Sequence, residues 1–392
     1  MEILRLVRSA TYGAAEFDKC AFPGFRFAPS WAILDASLRD EREHLTGWPV
    51  KRSHSDNKDP FIRLLFGAGI LTLRMPLPTY TCLMRFHTAS FRLFSPVLAL
   101  AGLVCVLAQA PAALAWGNSG HRMINRLATN TLPTDVPAFL RSPEALAEIE
   151  YLGPEPDRWR SPAEPELVAA QAPEHFIDLE PADALGPLPH KRLDFEASVF
   201  ASGQRPEKVG LQPWEATEVW QRLKAAMREY RNLSAAKQDT KPTEAAILFY
   251  AGWLGHYVGD AAQPLHTTIQ YNGWVGPNPN GYTTEHKIHW QCEGPFVDAN
   301  LRELAVKAKM TPLKAVDGDL FDAYIAYLRH TKTYVEKVYQ LEKAGGFVGA
   351  GTPESREFIA ERLGAGASML RDMIYTAWQE SAKPVADPYA AK

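Results

Sequence analysis

The sequence predicts an all-α fold, a bundle of roughly seven to nine helices with long surface loops. Three observations point there. Apolar residues recur at helical spacing through the last two thirds of the chain. No long run alternates apolar and polar residues as a half-buried strand would. The connections at 152–174, 180–213 and 262–283 are rich in Pro and Gly, which break regular structure.

The elements follow in order. Asn118 is placed to cap a segment in which His121, Ile124, Leu127 and Ala128 share one face. Pro213–Arg231 reads as a helix with proline in its first turn and Val219, Leu223, Ala226 and Tyr230 on one side. Thr243–Ala261 is apolar on most sides and is expected to be buried. Thr284–Lys309, Phe321–Lys343 and Pro353–Glu380 read as further helices.

Composition narrows the functional classes. The 392 residues are 46% hydrophobic and 22% charged, a globular balance that excludes wholesale disorder. The net charge is −3, from 42 basic and 45 acidic residues, so no basic excess marks a general nucleic-acid or anionic-membrane binder. Residues 116–392 carry 29 basic and 36 acidic side chains, a net −7. Cys20, Cys82, Cys105 and Cys292 form no C-x-x-C pair, so neither a thiolate zinc knuckle nor a disulfide framework is indicated.

A secretory signal is expected at 84–115. A basic region with Arg85, His87 and Arg92 precedes an apolar run from Pro96 to Ala108, and Ala113-Leu114-Ala115 supplies a small-x-small cleavage site. The run is shorter than the roughly 20 residues of a membrane span. Residues 1–83 then read as an upstream extension or a mis-assigned start, with no function assigned. Cleavage between Ala115 and Trp116 would leave a secreted or periplasmic protein of 277 residues, 116–392, with no transmembrane anchor and one cysteine, Cys292.

The chemistry is concentrated in Gly255-His256-Tyr-Val-Gly-Asp260-Ala-Ala-Gln-Pro264-Leu-His266. Residues four apart on a helix share a face, so His256 and Asp260 point the same way. Pro264 can end the helix and let His266 turn back toward the same space. His289 and Glu293 repeat the four-residue spacing 23 residues beyond His266. Facing helices that each offer a His and a carboxylate build metal sites in bundle clefts. Imidazole and carboxylate without thiolate suit catalytic zinc. A di-iron site would want E-x-x-H pairs, which these segments lack.

The ordered set Trp116-Gly-Asn-Ser-Gly120-His121, Pro156-Asp157-Arg-Trp-Arg160, His175-Phe176-Ile-Asp178, G-H-x-x-G-D-x-x-Q-P-L-H and His289-x-x-x-Glu293 resembles the superfamily of zinc-dependent phospholipases C and single-strand-specific nucleases of the S-one/P-one type. The resemblance runs from Trp116 to about residue 300. It implies three zinc ions. One would be held by Asp157, His175, His256 and Asp260, a second by His266, His289 and Glu293. A third would be held by the amino nitrogen and carbonyl oxygen of Trp116, with His121 and Asp260. Cleavage after Ala115 would supply the free amine that this last site needs. The implied reaction is hydrolysis of a phosphodiester by metal-activated water, with Asp157 orienting or deprotonating the water and Arg160 clamping phosphate.

Other residues divide the two branches. The W-G-x-x-G-H start, Arg160 and His175-Phe176-x-Asp178 match the nuclease branch, in which the resemblance implies that Phe176 stacks on a base and Asp178 bonds its edge. Phe176 as a core residue is the competing reading. Asn278, Asn280 and Tyr282 are available for further base contacts. Single strands suit such a pocket better than long duplexes. Glu293 leans toward the phospholipases, as does Phe296-Val297-Asp298. The expected function is therefore a secreted zinc phosphodiesterase acting on single-stranded nucleic acid or nucleotides, with phospholipase C as the alternative and a non-catalytic zinc-binding protein as the weaker one. Cys292 is expected to be a buried bystander, turned about 100° from Glu293. His286 is expected to support the site or replace a ligand, and His190 and His330 are unassigned.

Overall fold

The computed structural model describes residues 116–385 and two short segments, 62–66 and 69–73. The expected signal peptide, 84–115, and most of 1–83 lie outside the described residues. The two short segments are strands, β1 (Ile62–Phe66) and β2 (Gly69–Leu73), paired antiparallel with Ile62 opposite Leu73. They were not foreseen, because the sequence of 1–83 shows no sustained period.

Residues 116–385 are helical throughout their regular elements, as the sequence predicts. The first is α1 (Gly117–Asn130), which begins a residue before the expected Asn118 cap. His121, Ile124, Leu127 and Ala128 are all buried on its inner face. Next come α2 (Pro143–Leu152), capped by the Ser142 hydroxyl accepting from Ala145 N, and the single turn α3 (Glu155–Arg158). The long connections hold short helices rather than bare loop: α4 (Pro165–Gln171), α5 (Leu179–Asp183), α6 (Arg192–Ala201) and α7 (Pro206–Val209). Two long helices follow, α8 (Gln212–Ala235) and α9 (Lys241–Ala262).

The expected helix Thr284–Lys309 is three: α10 (Ile288–Glu293), α11 (Pro295–Asn300) and α12 (Glu303–Lys307). Pro295 denies helical backbone to Gly294, whose φ and ψ are −83° and −89°, and the chain restarts with Pro295 at the first position. The expected Phe321–Lys343 is two, α13 (Leu320–Lys332) and α14 (Val335–Lys343). There the Thr333 hydroxyl bonds the His330 carbonyl and Tyr334 N tightens onto Thr331 O, which closes the first helix. Last is α15 (Pro353–Ser381), opened by a Thr352–Ser355 capping box.

Helix α9 is the axis of the bundle, in contact with α1, α2, α8, α13 and α15. Its close neighbours are admitted by glycines. A Cβ on Gly252 would meet Leu152 Cβ at 2.4 Å, and one on Gly255 would meet Asn125 Oδ1 at 1.9 Å. Asn125 occupies that gap, donating to Ile149 O and Gly252 O and so joining α1, α2 and α9. Among the described residues no helix is long and apolar enough to cross a membrane.

Candidate metal centre

The buried C-terminal half of α9 carries His256 and Asp260 on one face, one turn apart. After Ala262 the helix ends at Pro264, and a 3-10 turn, Pro264–Thr267, swings His266 back beside them. Gln263 supports that turn by accepting from Leu265 N at 3.3 Å. His175 comes from another short turn, Ala172–His175, whose continuation is stitched in place: Ile177 N donates to His266 O and Asp178 N to Val209 O. Asp157 comes from α3, His121 from α1, and His289 with Glu293 from α10.

Asp260 sits at the centre. Its Oδ1 lies 3.4 Å from His121 Nε2 and 3.9 Å from His266 Nδ1, and its Oδ2 lies 3.2 Å from His175 Nδ1 and 3.4 Å from His256 Nε2. Asp157 Oδ1 is 3.8 Å from His175 Nδ1 and 3.9 Å from His256 Nε2. Beyond them, Glu293 spans His266 at 3.4 Å and His289 at 3.0 Å. Three buried groups therefore have ligand atoms close enough to hold a metal ion: His121–Asp157–His256, His175–His256–Asp260 and His266–His289–Glu293.

The imidazoles are oriented from behind. His256 Nδ1 donates to Gly153 O at 2.9 Å, His266 Nδ1 to His175 O at 2.6 Å and His289 Nδ1 to Tyr271 O at 2.9 Å. Each bond places the proton on Nδ1 and turns Nε2 inward, the arrangement a metal-binding imidazole takes. His266 and His289 thus turn their Nε2 atoms toward each other across 3.1 Å, and His256 Nε2 stands 2.9 Å from His175 Nδ1. Asp157 Oδ2 is buried with no hydrogen-bond partner among the described residues. Converging ring nitrogens and an unmatched buried carboxylate oxygen fit a bound cation.

Burial dominates the titration of these groups. It holds the His175, His256 and His266 imidazoles below their ordinary range and pushes Asp260 well up. Asp157 rises to about 7 through burial, against the pull of Arg160. The exceptions are Glu293 and His289: burial opposes ionisation of both, but their mutual attraction and hydrogen bonds, with a hydrogen bond from His266, hold the carboxyl at about 2 and raise the His289 imidazole. Arg160 Nη1 lies 3.3 Å from Asp157 Oδ1 with a quarter of its side chain exposed, at the edge of the group.

The remaining expected residues fall as follows. Trp116 is fully buried and donates its indole N–H to Gly259 O at 2.6 Å, five residues before His121. Phe176 is half-buried and outside the hydrophobic core, against the core reading. Asp178 is buried, and its nearest charges are Glu180 and Lys332 rather than the three clusters. Cys292 is a buried free thiol bonded to His289 O, as expected. His286 is exposed and joins no cluster. Asn278, Asn280 and Tyr282 all have partners within the protein. Asn278 brackets the backbone of Tyr282, and Asn280 and the Tyr282 hydroxyl both bond Glu336. Phe296 and Val297 are core. His190 pairs with Asp319 and Asp322 on the surface, and His330 packs on Tyr334. Sequence reasoning missed Trp159, Trp253 and Tyr271 around the site. The glycine spacing of α9 was visible, but its purpose required knowing what packs there.

Residues 116–289 match the model of the S1/P1 nuclease family. The resemblance read from the ordered motifs is borne out over that segment. Among solved structures, the chain is similar to an alpha toxin from Clostridium absonum, at 14% identity and a TM-score of 0.33. That alignment covers 68% of this chain and 66% of the toxin, just under two thirds of its length. No curated protein matches the chain in sequence. The family match supports a nuclease-like or phosphodiesterase-like hydrolase, and the three buried clusters are able to bind metal.

Proposed function

We propose that residues 116–392 form a secreted zinc-dependent phosphodiesterase that cleaves P–O bonds of single-stranded nucleic acid, with action on 3′-nucleotides as a related activity. The observation that carries this reading is the sharing of Asp260 between His121 on one side and His175 with His256 on the other, with Arg160 at the rim. Asp157, His175, His256 and Asp260 would hold one zinc, His266, His289 and Glu293 a second, and His121, Asp260 and the Trp116 backbone a third. Zinc, when bound, supplies Lewis acidity toward phosphate and lowers the pKa of water. Imidazole and carboxylate donors without thiolate suit that metal.

The chain's own residues supply the rest. Asp157, buried with one carboxylate oxygen lacking a hydrogen-bond partner, would both hold metal and orient the attacking water or take its proton. Arg160 places its guanidinium where negative charge grows on the phosphorus oxygens, and its planar fork suits two of them. Phe176, half-exposed beside His175, offers a ring to a base, and Asp178 a carboxyl to its edge.

Glu293 favours a second reading, phospholipase C, since that branch is the one with glutamate at this position. One experiment separates them. Protein beginning at Trp116 is loaded with zinc, and acid-soluble nucleotide release from single-stranded RNA and DNA is followed with and without chelator. Chelator-sensitive release is expected. A fully metallated protein that releases nothing, but hydrolyses phosphatidylcholine, overturns the nuclease reading.

A further inference from the structure

The face of α9 that carries His256 continues outward as an aromatic strip. Phe249, Trp253 and His256 follow at four- and three-residue spacing, so Trp253 stands about 4.5 Å along the axis from His256. Trp159, two residues after Asp157 and next to Arg160, meets Trp253 edge-on with ring centroids 5.1 Å apart. Phe249 packs against the same indole at 5.7 Å and remains 37% exposed. Trp253 thus backs two outer rings, one at the rim of the candidate metal centre and one further out.

Guanidinium groups border this strip. Arg222 from α8 lies 5.6 Å over the Trp253 ring, and its contact to Glu218 is a 3.4 Å pair between side chains about 40% exposed. Such a pair contributes little and competes weakly with a phosphate. Arg222 over the Trp253 ring, and Arg160 next in sequence to Trp159, give the strip local positive charge in a segment whose net charge is −7.

We infer that Trp159 and Phe249, backed by Trp253 and flanked by Arg222, form a ledge that holds the part of a single-stranded polynucleotide running out of the site. Bases would stack on the rings and phosphates would meet the guanidiniums, a combination that tolerates any sequence. The inference rests on the nuclease reading and adds to it a requirement for length: the preferred substrate is a strand of several nucleotides rather than a dinucleotide.

The test compares zinc-loaded wild type with Phe249→Ala, Trp159→Ala and Trp159→Phe on a dinucleotide and on a 20-nucleotide oligothymidylate. Phe249 is outside the core, so its truncation spares the fold. Phe249→Ala is expected to raise KM for the 20-mer about tenfold, with kcat and both dinucleotide constants unchanged, and Trp159→Ala to raise the same KM by at least as much. Trp159→Phe should recover most of the loss. Equal constants for variants and wild type on the 20-mer overturn the ledge and leave the nuclease reading standing. Wild type that cleaves neither nucleotide substrate, yet hydrolyses phosphatidylcholine vesicles, removes the nuclease reading and the strand ledge with it.

Discussion

Gly259 and His121 meet so closely that a Cβ on the glycine would stand 2.9 Å from the imidazole Nδ1. His121 also stacks on His256 at 4.0 Å, so it cannot retreat without moving a second candidate ligand. Gly259→Ala is expected to cost about 1–3 kcal/mol, as overpacking does, and to lower the bound metal by close to one equivalent. Elemental analysis beside thermal unfolding checks both. Full metal content in the variant would mean His121 is not a ligand.

Gly210 is constrained twice. Its φ is +93°, and a Cβ there would lie 2.2 Å from Phe176 O, against the segment that carries His175 and Asp178. Gly203 has a similar φ, +79°, with nothing within 4 Å. Urea unfolding should therefore show Gly210→Ala less stable than Gly203→Ala by about 2 kcal/mol or more. Equal losses would mean that backbone strain alone operates at both positions.

Burial, with the charge of Glu180, raises the Asp178 carboxyl from its ordinary 3.8 to about 7. Between those values the unfolded chain has released a proton that the folded chain keeps. The contribution of this group therefore falls as pH rises from about 4 to about 7 and is level above that. Asp178→Asn removes the effect. The variant should exceed wild type in stability at pH 8 by up to about 4 kcal/mol, with the gap closing toward pH 4. A gap independent of pH would place its cause elsewhere.

Asp157→Asn keeps the size of the side chain and removes the acceptor for a proton. Turnover should fall by at least about 100-fold, in line with loss of a general base, while part of the zinc stays bound. A fully active variant would exclude Asp157 from the chemistry.

Protein that retains residues before Trp116 carries an amide nitrogen there in place of an amine. It should bind about one zinc fewer than protein beginning at Trp116. Identical stoichiometry would sink the assignment of the Trp116 backbone as a ligand.

The site was more legible than the fold around it. His256 with Asp260, and His289 with Glu293, announce themselves because a helix forces residues four apart onto one face, and Pro264 announces the turn that returns His266. Helix lengths were less legible. Apolar periodicity carried the expected helix through Gly294-Pro295, although that dipeptide is itself a local stop signal. At Thr333 the stop depends on a threonine hydroxyl choosing a backbone partner. Asn278 looked free for a ligand because its bonds to Tyr282 are made by a turn that sequence spacing does not display. The aromatic strip was hidden for another reason: Trp159 and Trp253 are 94 residues apart in sequence and become neighbours only when α3 packs on α9.

The clusters also draw together distant pieces of chain that no disulfide joins. His121, Asp157, His175, Asp260, His266 and Glu293 belong to six different segments between α1 and α10, and Cys292, the one cysteine after Trp116, can form no disulfide within that part of the chain. Bound ions would therefore act as the molecule's cross-links, closing loops whose entropy the unfolded chain would otherwise keep. Durability would then depend on metal supply. A protease that leaves the loaded protein intact should cut the 262–283 connection soon after a chelator has stripped it.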